Sequence, residues 1–168
     1  MDLGLDRKVA LVAASSQGLG RAVAEELAAE GANLVMCARG EDALRTACES
    51  IADRSGVEVL GIVGDLSLRT DIERIVNAGS ERFGQIDILV TNSGGPPAGS
   101  FEGLSRQDWD AAVSGLLYSA IELTRMVLPG MKERGWGRIL NITSIAAKQP
   151  VDNLMLSNSI RAAVTGFA

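Results

Sequence analysis

Short, continuously apolar segments alternate with longer amphipathic segments along the chain. A continuous apolar run is typical of a strand covered on both faces of a sheet, whereas apolar residues spaced three and four apart are typical of a surface helix. The alternation therefore predicts an α/β protein. The short segments predict five strands, at residues 8–13, 33–38, 57–64, 86–91 and 137–144.

The amphipathic segments predict a helix after each strand. Gly31 is expected to end the first helix, because glycine readily adopts the left-handed conformation that follows a helix C-terminus. In the longest helix, Pro129 is expected to produce a kink or an earlier end. The apolar face of the first helix is predicted to contain Leu19, Val23, Leu27 and Ala28. The predicted helices are residues 18–31, 41–54, 68–83, about 105–134, and a last helix from about 153.

Strands that alternate with helices form a parallel sheet with helices on both faces. Right-handed crossovers then produce a doubly wound, Rossmann-like sheet in three α/β/α layers. The composition shows no break, so residues 1–168 are predicted to form a single domain. Ligands of such folds bind at the carboxyl ends of the strands, and the candidate chemistry is expected in the loops that follow them.

Charge and composition exclude several kinds of function. The chain has 21 acidic and 16 basic residues, and this acidic balance disfavours nucleic acid or an anionic membrane as a partner. The absence of histidine removes histidine triads and most zinc sites, and no metal site is predicted. The first residues do not resemble a signal peptide, and no apolar run is expected to span a membrane. Cys37 and Cys48 are expected to be buried thiols, so the sequence indicates a cytoplasmic protein.

The loop after the first strand leads directly into a helix and is rich in serine and glycine. Such a turn directs free backbone N–H groups and the positive end of a helix toward one point, which suits a pyrophosphate. Two interpretations stay open: a phosphate-binding turn, or a structural turn without a ligand. In the first interpretation the three polar side chains add donors, and the candidate cofactor-binding residues are Ala14, Ser15, Ser16, Gln17, Gly18, Leu19 and Gly20.

The end of the second strand discriminates between two dinucleotides. An acidic residue there binds the ribose 2′-OH of NAD(H), whereas an arginine accepts the 2′-phosphate of NADP(H). Here Arg39 comes first in the loop, and Glu41 and Asp42 follow at the predicted start of the next helix. Arg39 as a solvated surface residue is the alternative. Taken with the glycine turn, Arg39 favours NADP(H) over NAD(H).

Further motifs in the same order complete a resemblance to a known family. GDLS contains Asp65 and Leu66, and TNSGG contains Asn92, Ser93 and Gly94. Together with the SSQGLG turn, LTRMVLPGM and GRILNITS, these motifs resemble the short-chain dehydrogenase/reductase family. The form SNSIR is similar to a divergent branch that is labelled 3-oxoacyl-acyl-carrier-protein reductase-like. The resemblance extends over the whole chain but over only about the first two-thirds of a usual family domain, so a fragment of a longer protein is expected rather than a natural short form.

The resemblance implies an oxidoreductase that transfers a hydride between NADP(H) and a carbonyl or alcohol substrate, 3-oxoacyl compounds among them. It implies that Asp65 and Leu66 contact the adenine, and that Asn92, Ser93 and Gly94 belong to the cofactor site. It also implies a homodimer or homotetramer of the full-length form, paired through the fourth and fifth helices.

The catalytic positions of the resemblance depart from the family pattern. Ser144 matches the catalytic serine, but Ser157 and Arg161 stand where the family has tyrosine and lysine, and Leu116 stands where it has asparagine. A serine hydroxyl is far less acidic than a phenol, and arginine stays protonated, so Ser157 is expected to relay a proton through water at best. The glycine and Asn-Asn-Ala-Gly motifs also differ, at Ala13, Ala14, Thr91 and Ser93.

Lys148 and Tyr118 are two further candidate proton donors. Lys148 is either a donor with a lowered pKa or a solvated loop residue, and Tyr118 is expected to point away because two helical positions span about 200°. The loop 93–101 either shapes the substrate pocket or is a surface connection. Three functions therefore stay open: an NADP(H)-dependent oxidoreductase with altered proton delivery, a dinucleotide-binding protein without reductase activity, and a dehydratase- or isomerase-like enzyme on the same scaffold.

Overall fold

The computed structural model describes residues 3–168, so the first two residues of the predicted domain lie outside it. Its centre is one parallel sheet of five strands in the order β3-β2-β1-β4-β5. The reversal of strand order at β1 and β4 is the doubly wound topology that the sequence predicts. The strands are β1 (Val9–Val12), β2 (Asn33–Ala38), β3 (Val59–Val63), β4 (Ile88–Thr91) and β5 (Arg138–Asn141).

Helices follow the strands as predicted, with one change in the longest of them. The segment expected at about 105–134 is divided by a π-helical turn, Val113–Tyr118. Pro129 lies inside the second part without ending it, since the helix continues to Glu133. The helices are α1 (Gly18–Ala29), α2 (Glu41–Ser55), α3 (Arg69–Phe83), α4 (Arg106–Ala112), α5 (Ser119–Glu133) and α6 (Met155–Phe167). Two 3-10 turns, Phe101–Gly103 and Ile145–Ala147, lie in the loops.

The central strands β1, β2 and β4 are buried on both faces because their side chains alternate between two hydrophobic clusters. Leu11 and Val35 pack in the cluster that includes α3 and α5. Val12 and Leu34 pack in the other cluster, with α1 and α2. A third cluster, with Leu116 and others, joins α4 and the π turn to α6. The result is the predicted three-layer α/β/α arrangement.

The first helix ends as predicted and buries its predicted face at Val23, Leu27 and Ala28, but not at Leu19. Gly31 has φ +86°, and its N–H bonds to the Ala28 carbonyl, which is the left-handed cap expected after a helix. The prediction was wrong at Leu19, which is 66% exposed. The residues buried under α1 are Gly20, Ala24 and Ala28. Small residues bring the helix close to the sheet, and this contact turns Leu19 outward beside the β1–α1 loop.

The expectation that no apolar run could span a membrane is not met by one helix. Among residues 3–168, the continuous helix Arg106–Glu133 is long and apolar enough by length and composition, with a mean hydropathy of 1.3. In the fold, α5 packs against α3 and β4, with Leu123, Val127 and Met131 buried. Its apolar character therefore has an explanation in covering the sheet.

Candidate functional site

The loop after β1 has the backbone conformation of a glycine-rich turn, although one glycine is replaced. Ala14 has φ +47° and Gly18 has φ +59°, so both lie in the left-handed region. A non-glycine residue there costs about 1 kcal/mol or more. The sequence raised the question of whether Ala14 reshapes the turn, and in the structure Ala14 adopts the left-handed conformation itself.

Gly20 and Asn92 hold this turn against the end of β4. A Cβ built on Gly20 would lie 2.4 Å from the Ala14 carbonyl oxygen and 2.8 Å from the Asn92 Nδ2, so no side chain fits there. The Asn92 Nδ2 donates a hydrogen bond to the same Ala14 oxygen at 3.2 Å. Two motifs far apart in the sequence therefore meet at one carbonyl group.

Ser15 was expected to offer its side chain to a ligand, and the structure contradicts this role. Its side chain is fully buried, and its Oγ donates to the Val12 carbonyl oxygen at 2.7 Å. Its backbone N–H donates to the Cys37 carbonyl, which joins the turn to the end of β2. The Ser15 hydroxyl is therefore used in a hydrogen bond within the protein, because the turn lies between the ends of β1 and β2.

The rest of the turn is open to solvent at the start of α1. Ser16 is half-buried, whereas Gln17, Gly18 and Leu19 are exposed. Gln17 makes no side-chain capping bond, and the first turn of α1 contains no acidic residue. The first N–H groups of a helix have no partners within the helix, and its N-terminus carries a partial positive charge. This end of α1 can therefore receive an anionic group.

Arg39 extends from the end of β2 into solvent. Among the described residues it forms no hydrogen bond and no ion pair. Glu41 and Asp42 lie in the first turn of α2, as the sequence indicated, and Asp42 pairs with Arg45 at 3.1 Å. The guanidinium of Arg39 is thus free to meet an anion at this edge of the sheet.

The end of β3 is ordered by two charged residues of α3. The Asp71 carboxylate accepts the Asp65 N–H at 2.8 Å, and Arg74 donates to both Asp71 and the Val63 carbonyl. The Asp65 N–H and the Arg74 guanidinium hold the pKa of the Asp71 carboxyl below its usual value. Asp65 itself accepts the Ser67 N–H. The Leu66 side chain is buried in the core, so Leu66 can reach a ligand mainly through its backbone.

The ends of β4 and β5 are joined by side chains as well as by the sheet. The Thr91 Oγ1 donates to the Asn141 Oδ1 at 2.6 Å, and the Ile142 N–H donates to the Thr91 carbonyl. Ser93 is half-buried and Gly94 is exposed immediately after this point. The cofactor-loop residues therefore start from a rigid pair of strand ends.

Ser144 lies beyond β5, where the chain bends into the 3-10 turn Ile145–Ala147. Its Oγ accepts the Ala146 N–H at 3.1 Å, so its own proton remains available for donation. That turn packs against α6, the helix that carries Ser157 and Arg161. Ser144 and Ser157 are both half-buried.

Arg161 faces the sheet edge from α6. Its Nη1 donates to the Ile142 carbonyl at 2.8 Å, and burial lowers the pKa of its guanidinium, which nevertheless stays charged at neutral pH. A small cavity beside it is lined by Asn92 and Ser93 among others. The structure therefore brings residues of the Asn92 motif and of the Ser157 motif together, as the resemblance implies.

Ser119 and a π turn at this cavity were not identified from the sequence. Leu116 lines the cavity, as expected for the position that replaces asparagine, and Ser119 lines it too. The Ser119 Oγ donates to the Gly115 carbonyl at 2.7 Å, within the π turn. π turns are often found at functional sites. Apolar periodicity does not reveal one extra residue per turn, so no signal in the sequence marked it.

The two further candidate proton donors, Tyr118 and Lys148, lie outside this cavity. Tyr118 is 55% exposed and lines a groove of about 270 Å³ with Leu66 and Glu122, so it points away from Arg161 as predicted. Lys148 is exposed in the loop beyond Ser144. Its exposure matches the solvated-loop interpretation.

The fold and site define a dinucleotide-binding type of α/β protein. Residues 8–168 match the short chain dehydrogenase family, and the chain belongs to that family. It is 38% identical over 140 residues to the D-beta-hydroxybutyrate dehydrogenase of Cupriavidus necator, covering 83% of this chain and 54% of the relative.

Solved structures agree with this assignment. The L-sorbose reductase of Gluconobacter frateurii, complexed with NADPH and L-sorbose, has a TM-score of 0.97 and 35% identity, covering 99% of this chain and 64% of that one. An actinorhodin polyketide ketoreductase with NADPH has a TM-score of 0.91 and 38% identity, covering 97% and 63%. The chain spans 54% to 62% of the length of the first curated relatives that it matches.

Replacing Gly20 by alanine tests the close contact between the turn and β4. The new Cβ would displace the Ala14 carbonyl or the Asn92 amide, so Gly20→Ala is expected to lower the free energy of unfolding by about 1–3 kcal/mol. Urea unfolding measures it. Gly166→Ala is the matched control, because a Cβ there meets nothing within 4 Å. Equal stability of the two variants would contradict the contact.

The Asp71 carboxylate makes stability depend on pH in a defined direction. Because its folded pKa lies below the usual 3.8, its stabilisation is complete above that value and is lost as pH falls through the folded pKa. Asp71→Asn is therefore expected to lower the melting temperature at pH 7 and to flatten its fall under acid conditions. Asp53→Asn, at an exposed carboxylate on α2, is the control. Identical acid profiles for both variants would refute the role of Asp71.

Proposed function

We propose that the protein is an NADP(H)-dependent oxidoreductase that transfers a hydride to or from a carbonyl or alcohol substrate, with 3-oxoacyl compounds as a candidate class. The observation that carries the proposal is that α1 begins without a side-chain cap while the Arg39 side chain, at the end of β2, has no partner among residues 3–168. Both are suited to phosphate, one through backbone N–H groups and one through a guanidinium. The two solved relatives named above were crystallised with NADPH.

The residues present fit this cofactor. The turn 14–20 offers backbone donors and no acidic side chain to a pyrophosphate, with Ser15 in a purely structural role. Arg39 would hold the 2′-phosphate, Asp65 and the Leu66 backbone would contact the adenine, and Asn92, Ser93 and Gly94 would complete the site. When bound, NADP(H) supplies the hydride.

The reacting groups of the chain are Ser144, Ser157 and Arg161. The Ser144 hydroxyl, whose oxygen already accepts the Ala146 N–H, donates its proton in a hydrogen bond to the substrate oxygen. Arg161 uses one nitrogen on Ile142 and keeps its other donors for ribose hydroxyls and for developing negative charge. Ser157 passes a proton through water, because its own hydroxyl is a weak acid.

The second candidate function is dinucleotide binding without reductase activity. It is favoured by Ser157, Arg161 and Leu116, which replace a tyrosine, a lysine and an asparagine of the family pattern in one site. Leu116 in particular presents only carbon atoms to the cavity. Binding without turnover is the result that would distinguish this candidate.

The remaining expectations concern assembly and location. A homodimer or homotetramer is proposed for the full-length form, paired through the fourth and fifth predicted helices, which are the segment from α4 to α5 and the helix α6 in the structure. The exposed Tyr118 on the first of these segments supports it. The cytoplasmic location and the absence of nucleic-acid and membrane partners stay predictions from charge and composition.

Arg39 tests the choice of cofactor. Arg39→Asp is expected to weaken NADPH binding by about tenfold or more, because it removes a charge-assisted hydrogen bond and adds repulsion of the 2′-phosphate. Binding of NADH is expected to change little. Fluorescence titration with both nucleotides measures this. Arg45→Asp makes the same change in charge at a residue with its own partners, Asp42 and Glu49, and serves as the control. An equal loss for NADPH and NADH would contradict the role of Arg39.

Restoring a phenol and an ammonium tests the proposed proton delivery. The wild type is expected to oxidise NADPH slowly with a ketone or 3-oxoacyl thioester. The double variant Ser157→Tyr, Arg161→Lys is expected to raise kcat at least about tenfold, because a phenol beside a cation is a far better acid than serine. Ser159→Tyr, on the exposed side of α6, is the control. NADPH binding without turnover in both proteins would favour the second candidate function.

A further inference from the structure

We infer that Asn158 is a positioning residue that joins α6 to the two loops flanking the reacting groups, and thereby sets which substrates reach them. The effect on substrate rests on the proposed function, whereas the effect on the loops does not. Asn158 follows Ser157 directly and is half-buried.

The Asn158 side chain binds both polar groups of one backbone residue. Its Oδ1 accepts the Val151 N–H at 3.1 Å, and its Nδ2 donates to the Val151 carbonyl at 2.9 Å. Within the part of the chain that the structure describes, these are the only side-chain hydrogen bonds to residues 149–155. An amide carries a donor and an acceptor on two separate atoms, so it can bind the N–H and the carbonyl of one residue together.

From Val151 the connection continues into the loop that follows β4. The Gly99 N–H donates to the Asn153 carbonyl at 2.8 Å, and the Met155 N–H donates to the Gly99 carbonyl at 3.4 Å. Gly99 and Leu154 thereby form an isolated parallel bridge. Asn153 has φ +60°, a conformation that costs energy outside glycine and persists because its neighbours hold it.

The two loops begin at functional positions of the site. The loop 93–101 starts at Ser93 beside the cavity of Arg161, and the segment 145–154 starts directly after Ser144. Their mutual bridge fixes the gap between them over the carboxyl edge of the sheet. The bridge to Leu154 supports the interpretation of the loop 93–101 as a pocket wall rather than a surface connection.

The proposed cofactor residues do not depend on this connection. The turn after β1 is held by Asn92, Gly20 and Ser15, and the end of β3 by Asp71. Loss of the Asn158 amide should therefore loosen the substrate side of the site and leave the cofactor side intact. This asymmetry separates a positioning role from a contribution to overall stability.

The test compares Asn158→Ala and Asn158→Asp with Ser159→Ala, the exposed neighbour, by amide hydrogen exchange measured with NMR. Asn158→Ala is expected to speed exchange at Val151 and Gly99 by about tenfold or more, with no change at core amides such as Leu11 and Leu89. Asn158→Asp keeps an acceptor for the Val151 N–H but loses the donor to the Val151 carbonyl, so exchange at Val151 is expected to lie between that of the wild type and that of Asn158→Ala. Unchanged exchange at Val151 and Gly99, or faster exchange throughout the core strands, would overturn the inference.

Kinetics test the substrate part in the same variants. With turnover, Asn158→Ala is expected to raise KM for the carbonyl substrate about tenfold, with the NADPH Kd unchanged within about twofold. An unchanged carbonyl KM, or an equal loss of NADPH affinity, would refute selection of the substrate by Asn158. If no protein turns over, the proposed reductase function fails, but the exchange data still decide whether Asn158 joins the loops.

Discussion

The site depends on one close contact, between the loop after β1 and the end of β4. Ala14 directs its carbonyl oxygen into the gap, Gly20 leaves the space that a Cβ would fill, and the Asn92 amide binds the oxygen. Because the contact lies at the point where strand order reverses, it opens the crevice in which ligands of doubly wound sheets bind. The left-handed conformation of Ala14 is an energetic cost that this contact offsets.

The groups at the sheet edge divide into a preserved half and an altered half. The open N-terminus of α1 and Arg39, whose side chain has no partner within residues 3–168, are the groups that the proposed dinucleotide binding would use. On the reacting side, Ser157 and Arg161 keep a hydroxyl and a positive charge but lose an acid that can give a proton near neutral pH. The groups proposed for binding thus match the family pattern better than the groups proposed for proton transfer. Proton transfer is the property that distinguishes a slow reductase from a binding protein.

The helix α6, which carries Ser157 and Arg161, also makes more contacts with the neighbouring loops than the spacing of these two residues indicates. Arg161 reaches the end of β5, and Asn158 reaches Val151 and through it Gly99. Side chains on successive turns of α6 therefore bind the end of β5 and the loops beside the same site. A change in this helix is expected to affect geometry and chemistry together, which is why matched variants are needed to separate them.

The sequence by itself determined the strands, the alternation of strands with helices, and the clustering of candidate residues at the carboxyl edge of the sheet. Continuous apolar runs leave little choice but a sheet covered on both faces, and parallel strands bring their following loops together. Arg39 is a candidate cofactor residue because of its place at the end of the second strand, whereas Asp65 and Asn92 are candidates through the resemblance to the family. Tertiary structure alone decided the exposure of Leu19, the burial of Ser15, the π turn that brings Ser119 to the cavity, and the bonds of Asn158. These features depend on distances between segments remote in sequence, and side-chain periodicity carries no information about such distances.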